Sequence, residues 1–156
     1  MMDYKNKIIY QIWPRSFQDS NHDGIGDLKG ILRRLDHLPD LGVDLIWLSP
    51  VYCSPNTDYG YDISDYYNIH PDFGTMADFD ALLTECKKRG MGIVMDLVAN
   101  HTSDQHPWFQ ACLNDPNSPY RDCYYFREGI NDKEPNNWIS MFGGSAWTKD
   151  PLKPRS

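Results

Sequence analysis

Three segments of the chain carry the short apolar pattern that is typical of β-strands. They are residues 8–13, 43–48 and 93–98. Pro14 stops the first segment, and Ser49 and Pro50 close the second. The last two segments are almost continuously apolar, as strands are when both faces of a parallel sheet are covered. The pattern therefore predicts three strands in the first 101 residues, with the second and third of them buried.

A first helix is predicted between the first two strands, behind Asp27 as a candidate N-cap. Its apolar residues recur at helical spacing: Leu28, Ile31, Leu32, Leu35 and Leu38. Pro39 is expected to end or kink this helix near Leu38, because its ring opposes the carbonyl group four residues earlier.

A second helix is predicted between the second and third strands. Residues 75–78 resemble a capping box, and the basic residues 87–89 meet the C-terminal dipole before Gly90 ends the helix. The apolar stripe of this helix consists of Phe79, Leu82, Leu83 and Cys86. The alternation of strands and helices predicts an α/β fold, in which a parallel sheet is covered by helices.

The periodic pattern ends after His101. Residues 102–156 contain six of the eleven prolines and no sustained period, yet they are too rich in Trp, Tyr and Phe for a disordered tail. We expect two segments: residues 1–101 as the α/β part, and residues 102–156 as an irregular but ordered insertion.

Composition narrows the class of protein. The chain has 156 residues with 15 Lys and Arg against 22 Asp and Glu, which gives a formal charge of −7 and no basic stripe for a nucleic acid. Its longest nearly apolar run, residues 45–52, is too short to span a membrane, and the N-terminus lacks an apolar signal core. These features predict a cytoplasmic protein, and its four cysteines are expected to be free thiols.

The loop from Asp19 to Asp27 is a candidate metal site. Oxygen-bearing side chains stand at alternate positions around a glycine, as in a calcium-binding loop, and the available donors are Asp19, Asn21, Asp23, the carbonyl of Ile25, and Asp27. Gly30 occupies the position of the bidentate Glu in an EF-hand, and no helix precedes the loop, so a true EF-hand is excluded. A polar turn with solvated carboxylates remains the alternative.

Two further polar stretches follow predicted strands. Asp96, Asn100 and His101 emerge at the end of the third strand, where ligands of parallel sheets bind, although a strand-end histidine with capping partners is equally compatible. Residues 58–66 combine carboxylates with tyrosines, which suits a sugar or a polar surface loop. His70 and His106 have no partner at metal-ligand spacing, so a structural role is predicted for both.

These stretches, taken in order, resemble the α-amylase superfamily of glycoside hydrolases, and more narrowly its α-glucosidase and oligo-1,6-glucosidase branch. The resemblance covers nearly the whole chain. The segments that carry it are residues 10–17, 19–27, 46–52, 60–66, 73–75, 96–101, 135–138 and 144–147. Three positions depart from the usual pattern: Trp13 replaces a common Tyr, Tyr59 replaces a frequent Asn, and Pro39 interrupts a helix that is normally continuous.

The resemblance implies a (β/α)₈ barrel with an irregular domain B inserted after the third strand, so this chain would supply about three βα units and part of domain B. It implies that the Asp19–Asp27 loop binds structural Ca²⁺. It also implies that Asp58 and His101 bind glucose hydroxyls, that Tyr61 stacks beneath the ring and that Phe142 walls the subsite. Asp96 would support an arginine near the nucleophile, with Asn100 as a supporting neighbour.

The resemblance also implies a retaining α-glucosidase acting on an oligosaccharide with a non-reducing α-glucosyl end. Such hydrolysis needs two carboxylates about 5–5.5 Å apart. The family's nucleophile and acid/base lie in later strands, so no catalytic residue is expected in this chain, which we interpret as an N-terminal portion. The alternatives are a non-catalytic sugar- or calcium-binding fragment, or a relative of the heavy chain of an amino-acid transporter, which would need a membrane anchor.

Overall fold

The computed structural model describes residues 4–131 and 133–150. Residues 1–3, 132 and 151–156 belong to the two predicted segments but lie outside the described residues. The chain divides into two compact units, Met1–Ser103 and Asp104–Ser156. The strands, in chain order, are β1 (Ile9–Ile12), β2 (Leu45–Leu48), β3 (Tyr52–Cys53), β4 (Asp65–Ile69) and β5 (Gly92–Met95). The helices are α1 (Pro14–Phe17), α2 (Leu28–Arg33), α3 (His37–Asp40), α4 (Met76–Lys88) and α5 (Pro107–Asn114).

The first unit is built on a three-stranded parallel sheet in the order β1-β2-β5. The register aligns Ile12 with Leu48 and Leu48 with Met95, so the three strands end side by side. The α/β class predicted from the apolar pattern is confirmed. Because the last residues of the strands are in line, the residues that follow them emerge together at one edge of the sheet.

The core lies mainly along β2 and the two longest helices of this unit. Ile46 and Leu48 are fully buried, and the helices α2 and α4 cover them with Leu28, Ile31 and Leu82. The predicted burial of the third strand is wrong, because Val94 in β5 is exposed and its neighbours are only half-buried. β2 is paired on both sides among the described strands, whereas β1 and β5 are each paired on one side only.

The first predicted helix is wrong in its extent. The chain forms α2 and α3 with a turn between them, so the helix ends at Arg33 rather than near Leu38. Pro39 lies in the first turn of α3. The backbone N–H groups of a first turn have no partner within the helix, so the N–H that proline lacks costs α3 no hydrogen bond. Leu35 and Leu38 still reach the core, so the apolar pattern predicted burial correctly although it did not predict the break.

The second predicted helix is confirmed as α4. Thr75 Oγ1 accepts a hydrogen bond from the N–H of Asp78 at 3.2 Å, and Asp78 Oδ2 accepts one from the N–H of Thr75 at 2.9 Å, which completes the capping box. Gly90 follows with a φ of +72°, the left-handed conformation that suits the end of a helix. Leu83, placed in the predicted apolar stripe, is instead exposed.

Two predicted structural roles are confirmed. His70 Nδ1 accepts from the N–H of Asp72 and His106 Nδ1 accepts from the N–H of Trp108, so each histidine caps the helical turn that follows it.

All four cysteines are free thiols. None of the described helices is long and apolar enough to cross a membrane.

The second unit contains a helix that the sequence pattern did not predict. The eight residues of α5 start at Pro107, where proline suits the first helical position, and are capped by His106. Aromatic pairs hold the rest of this unit together, among them Trp108 stacked on Tyr120 at 4.9 Å and Trp138 stacked on Trp147 at 5.8 Å. This part of the chain is therefore less irregular than predicted.

Candidate functional site

The carboxyl ends of the three parallel strands carry the candidate site. The aligned ends of β1, β2 and β5 are directly followed by Trp13, Ser49 and Asp96, respectively. The N–H of Ser49 donates to the carbonyl of Ile12 at 3.0 Å, which ties two of these ends together. Gln11 Nε2 donates to Ser49 Oγ at 3.2 Å on the same edge.

Asp96 is the centre of a hydrogen-bond cluster. Its Oδ1 accepts from the indole Nε1 of Trp47 at 2.7 Å, and its Oδ2 accepts from the hydroxyl of Tyr61 at 2.9 Å. The hydroxyl of Tyr52 reaches the backbone carbonyl of Asp96 at the longer distance of 3.5 Å. One carboxylate therefore joins β2, the end of β5 and the loop that carries Tyr61. The contribution of Trp47 was not predicted from the sequence, because its contact with Asp96 joins β2 to the end of β5.

The same carboxylate changes the ionisation of the tyrosines around it. Burial raises the pKa of Tyr61, and the hydrogen bond to Asp96 and the negative charge of Asp96 raise it further. Burial also raises the pKa of Tyr52, with a second contribution from the charge of Asp96. Both phenols are therefore held in the neutral form that can donate a hydrogen bond.

Asp62 organises the loop between β3 and β4. Its two oxygens accept hydrogen bonds from the hydroxyl of Ser54 at 2.7 Å, the N–H of Thr57 at 2.9 Å and the N–H of Asp58 at 3.1 Å. Burial raises the pKa of Asp62, but these hydrogen bonds together outweigh it, and the pKa lies below its usual range. Asp62 was not predicted from the sequence as a site residue. An Asp with turn-forming residues before it is a local signal that could have indicated it.

Asp58 and Tyr61 are brought together by that loop. The N–H of Tyr61 donates to the carbonyl of Asp58 at 2.9 Å, and the negative charge of Asp58 contributes to the raised pKa of Tyr61. Within the described residues, the carboxylate of Asp58 makes no hydrogen bond and no ion pair, and the residue is half-buried. It is thus an acceptor that a ligand can use.

His101 is placed against the same loop. Its Nε2 lies 3.1 Å from the carbonyl oxygen of Tyr61, and its Nδ1 lies 3.3 Å from Nδ2 of Asn100. The tautomer with the proton on Nε2 satisfies both contacts, since Nε2 then donates to Tyr61 and Nδ1 accepts from Asn100. Tyr66 donates to the carbonyl oxygens of Val98 and His101 and holds the segment in place.

A cleft of about 550 Å³ opens beside these residues. All the side chains that line it are uncharged, and five of the nine are aromatic: Tyr10, Gln11, Ile12, Trp13, Ser16, Phe17, Ser49, Tyr59 and Tyr61. Clefts of this size hold small molecules, and aromatic walls with a few polar groups are typical of them. Phe142 belongs to the second unit, where its side chain is 83% exposed.

The Asp19–Asp27 loop is held by hydrogen bonds among its own residues. Asp19 accepts from the N–H groups of Asn21, His22 and Gly24, and the last of these hydrogen bonds contributes most to lowering the pKa of Asp19. Asp23 accepts from the side chain of Asn21 and from the N–H of Ile25.

Asp27 ends the loop as the N-cap of α2. It accepts from the N–H of Gly30 at 2.7 Å and from the N–H of Ser20 at 3.0 Å. A carboxylate has about four acceptor positions, so these bonds leave capacity for a cation. In the part of the chain that the structure describes, no group of three His, Cys, Asp or Glu side chains is placed to hold a metal ion. The donors nevertheless fit a hard cation in kind, since all of them are oxygens.

Comparison with known families decides the family of this chain. Residues 11–153 match the catalytic domain of alpha-amylase. The chain belongs to the alpha-amylase family. The resemblance drawn from its motifs is thereby confirmed, and the parallel sheet of the first unit agrees with the α/β class of that domain.

The chain is similar to oligo-1,6-glucosidase of Parageobacillus thermoglucosidasius, with 60% identity over 96% of this chain and 26% of that protein. It is 54% identical to trehalose-6-phosphate hydrolase of Escherichia coli over 92% of this chain and 26% of the relative. Among solved structures, a variant of MutB in complex with the substrate sucrose superimposes with a TM-score of 0.93 at 55% identity, covering 96% of this chain and 27% of MutB. The chain spans about a quarter of the length of these relatives.

The Asp96 cluster leads to a first prediction. In the variant Asp96→Asn the phenol of Tyr61 loses its charged acceptor and the repulsion that disfavours phenolate, so the pKa of Tyr61 should fall. The fall should be partial, because burial is the largest cause of the raised pKa and the variant does not remove it. Ultraviolet titration of phenolate absorbance, assigned by comparison with Tyr61→Phe, measures the change.

The matched control for this titration is Asp80→Asn, which changes an exposed carboxylate on α4 to an amide. It should leave the titration of Tyr61 unchanged. A Tyr61 phenol that titrates identically in the native chain and in Asp96→Asn would contradict the cluster.

Proposed function

We propose that this chain carries part of the glucose-binding subsite and the calcium loop of a retaining α-glucosidase, which hydrolyses α-glucosidic bonds of oligosaccharides. The observation that carries the proposal is the assembly of Asp58, Tyr61, Asp96 and His101 in one unit of a chain that is 60% identical to an oligo-1,6-glucosidase. In this proposal the first unit is the beginning of a (β/α)₈ barrel with about three βα units, and the second unit is part of domain B.

The chemistry of the residues supports a sugar ligand. The carboxylate of Asp58, which has no partner of its own among the described residues, can accept from ring hydroxyls. The ring of Tyr61 can lie under the apolar C–H face of a pyranose, and Asp96 fixes the direction of that ring through its hydroxyl. His101 can exchange its 3.1 Å contact with Tyr61 for a sugar hydroxyl.

The ligand in this proposal is an oligosaccharide with a non-reducing α-glucosyl end. The nucleophile and the acid/base of a retaining mechanism would come from parts of the protein beyond this chain. Asp96 would then also support an arginine near the nucleophile, with Asn100 beside it.

The alternative function is a non-catalytic role in binding sugar or calcium. It predicts the same binding by this chain, but no glucosidase activity of the whole protein. The names of the relatives favour the hydrolase, since they are glucosidases and a trehalose-6-phosphate hydrolase. A relative of a transporter heavy chain is a weaker alternative, because no feature of the described residues supports it.

Sugar binding by the chain is the direct test of the subsite. We expect the native chain to bind isomaltose in titration calorimetry and to show no turnover of p-nitrophenyl α-glucoside. The variant Asp58→Asn should weaken binding at least about tenfold, because a hydrogen bond to a charged group is removed at nearly constant shape. Asp80→Asn, a change of an exposed carboxylate on α4, is the matched control and should bind as the native chain does.

Two results would contradict the assignment. If neither isomaltose nor glucose gives heat with the native chain, the chain does not carry the subsite. If Asp58→Asn binds isomaltose with native affinity, the carboxylate of Asp58 does not take part in it.

Calcium binding is a separate part of the proposal and rests on the oxygen donors of the Asp19–Asp27 loop. Ca²⁺ at about 100 times its Kd would stabilise the folded chain by roughly 2.7 kcal/mol. This corresponds to a rise in Tm of about 5–10 °C for a chain of this length. Removal of the metal by a chelator should reverse the rise, as followed by circular dichroism.

The variant Asp23→Ala should lose the calcium-dependent rise in Tm, because it removes one carboxylate ligand from the loop. Asp80→Ala should keep the rise, since its carboxylate lies on α4 and outside the loop. A Tm that is the same with Ca²⁺ and with chelator would show that the loop is only a polar turn.

A further inference from the structure

Two of the three positions that depart from the usual family pattern, Trp13 and Tyr59, lie against each other in the structure. The rings of Trp13 and Tyr59 are 6.1 Å apart between centroids and meet edge to face at 74°. Trp13 follows β1 and Tyr59 lies in the loop between β3 and β4, so the two residues are 46 positions apart in the chain. Both rings line the cleft that Tyr61 also lines.

These rings remain largely open to solvent although they are in contact. Trp13 is 42% exposed and Tyr59 is 71% exposed. Core aromatics of this size are normally buried, because removing their area from water is what makes them stabilising. The pair therefore presents apolar surface to the cleft rather than to the core.

The backbone of Tyr59 adds an independent observation. Its φ of +52° is in the left-handed region, which is unfavourable for an aromatic residue and far easier for Asn or Gly. Non-glycine residues in this region persist where the surrounding structure holds them, and they cluster at ligand sites. Here the hydrogen bonds to Asp62 hold the loop that imposes this conformation.

We propose that Trp13 and Tyr59 form a second aromatic surface of the cleft, which packs against the pyranose ring of a glucosyl ligand and adds to its affinity. The inference rests on the proposed function, because it assumes that the cleft binds a sugar. The side chains that line the cleft are uncharged, which suits an uncharged sugar ring. The C–H face of a pyranose is apolar and matches the exposed faces of the two rings.

The test replaces each ring by the residue that is usual in the family pattern, in Trp13→Tyr, Tyr59→Asn and the double variant. Binding of isomaltose to the full chain is measured by titration calorimetry, and Tm is measured for each variant. The matched control is Tyr67→Asn, since Tyr67 lies on β4 with an 87% exposed side chain and does not line the cleft.

We expect Tyr59→Asn, which removes one ring, to weaken isomaltose binding by roughly three- to tenfold, the range of an aromatic contact. Trp13→Tyr keeps a smaller ring and should weaken binding measurably but by a smaller factor. The Tm of Tyr59→Asn should stay equal or rise, because Asn adopts the left-handed conformation more easily than Tyr. A lower affinity at an undiminished Tm separates a role in binding from a structural one. The double variant should lose less than the product of the two single losses, because the rings act on the ligand as one surface.

The outcomes separate this inference from the proposed function. If the native chain binds isomaltose and both single variants bind it equally well, the aromatic pair has no role in recognition and the proposed function still stands. If the affinity of Tyr67→Asn falls as far as that of Tyr59→Asn, the effect is not specific to the cleft and the inference is wrong. If the native chain does not bind isomaltose, the proposed function fails and the inference fails with it.

Discussion

The carboxylate of Asp96 is the interaction on which the candidate site depends. It accepts one hydrogen bond from the indole of Trp47 in β2 and one from the phenol of Tyr61, whose loop carries Asp58 and Tyr59. Hydrogen bonds to a charged acceptor are shorter and stronger than neutral ones. The parallel register places Asp96 directly beyond Met95 and beside the end of β2, so the fold itself determines where the loop is held.

A second carboxylate completes this arrangement from inside the loop. Asp62 satisfies a hydroxyl and two backbone N–H groups, and it shapes the turn in which Asn56 and Tyr59 have positive φ. The two aspartates have different roles: Asp62 sets the shape of the loop, and Asp96 anchors the loop to the sheet. The carboxylate of Asp58, left without a partner among the described residues, is what this scaffold makes available to a ligand.

Much of the fold and part of the candidate site could be predicted from the sequence. The elements and contacts that were not predicted have physical causes. The apolar runs predicted β1, β2 and β5, and the spacing of Thr75 and Asp78 predicted the capping box, because those signals are local.

The break before His37 depends on how the chain accommodates Pro39 while it keeps Leu35 and Leu38 in the core, which is a tertiary constraint. The strand β3 has only two residues, and β4 is a five-residue strand without an apolar run; among the described strands they pair only with each other. The contacts of Asp96 with Trp47 and of Trp13 with Tyr59 join residues 49 and 46 positions apart, and no periodicity reports such pairs.

The most direct measurement of this account is amide hydrogen exchange in the variant Tyr61→Phe, which removes the hydroxyl bond to Asp96 and keeps the ring. If Asp96 anchors the loop, the N–H groups of Thr57 and Asp58 should exchange faster than in the native chain, because the loop opens without global unfolding. The N–H groups of β2 should keep their protection. Unchanged exchange at Thr57 and Asp58 would contradict the claim that this single carboxylate holds the ligand-binding loop on the sheet.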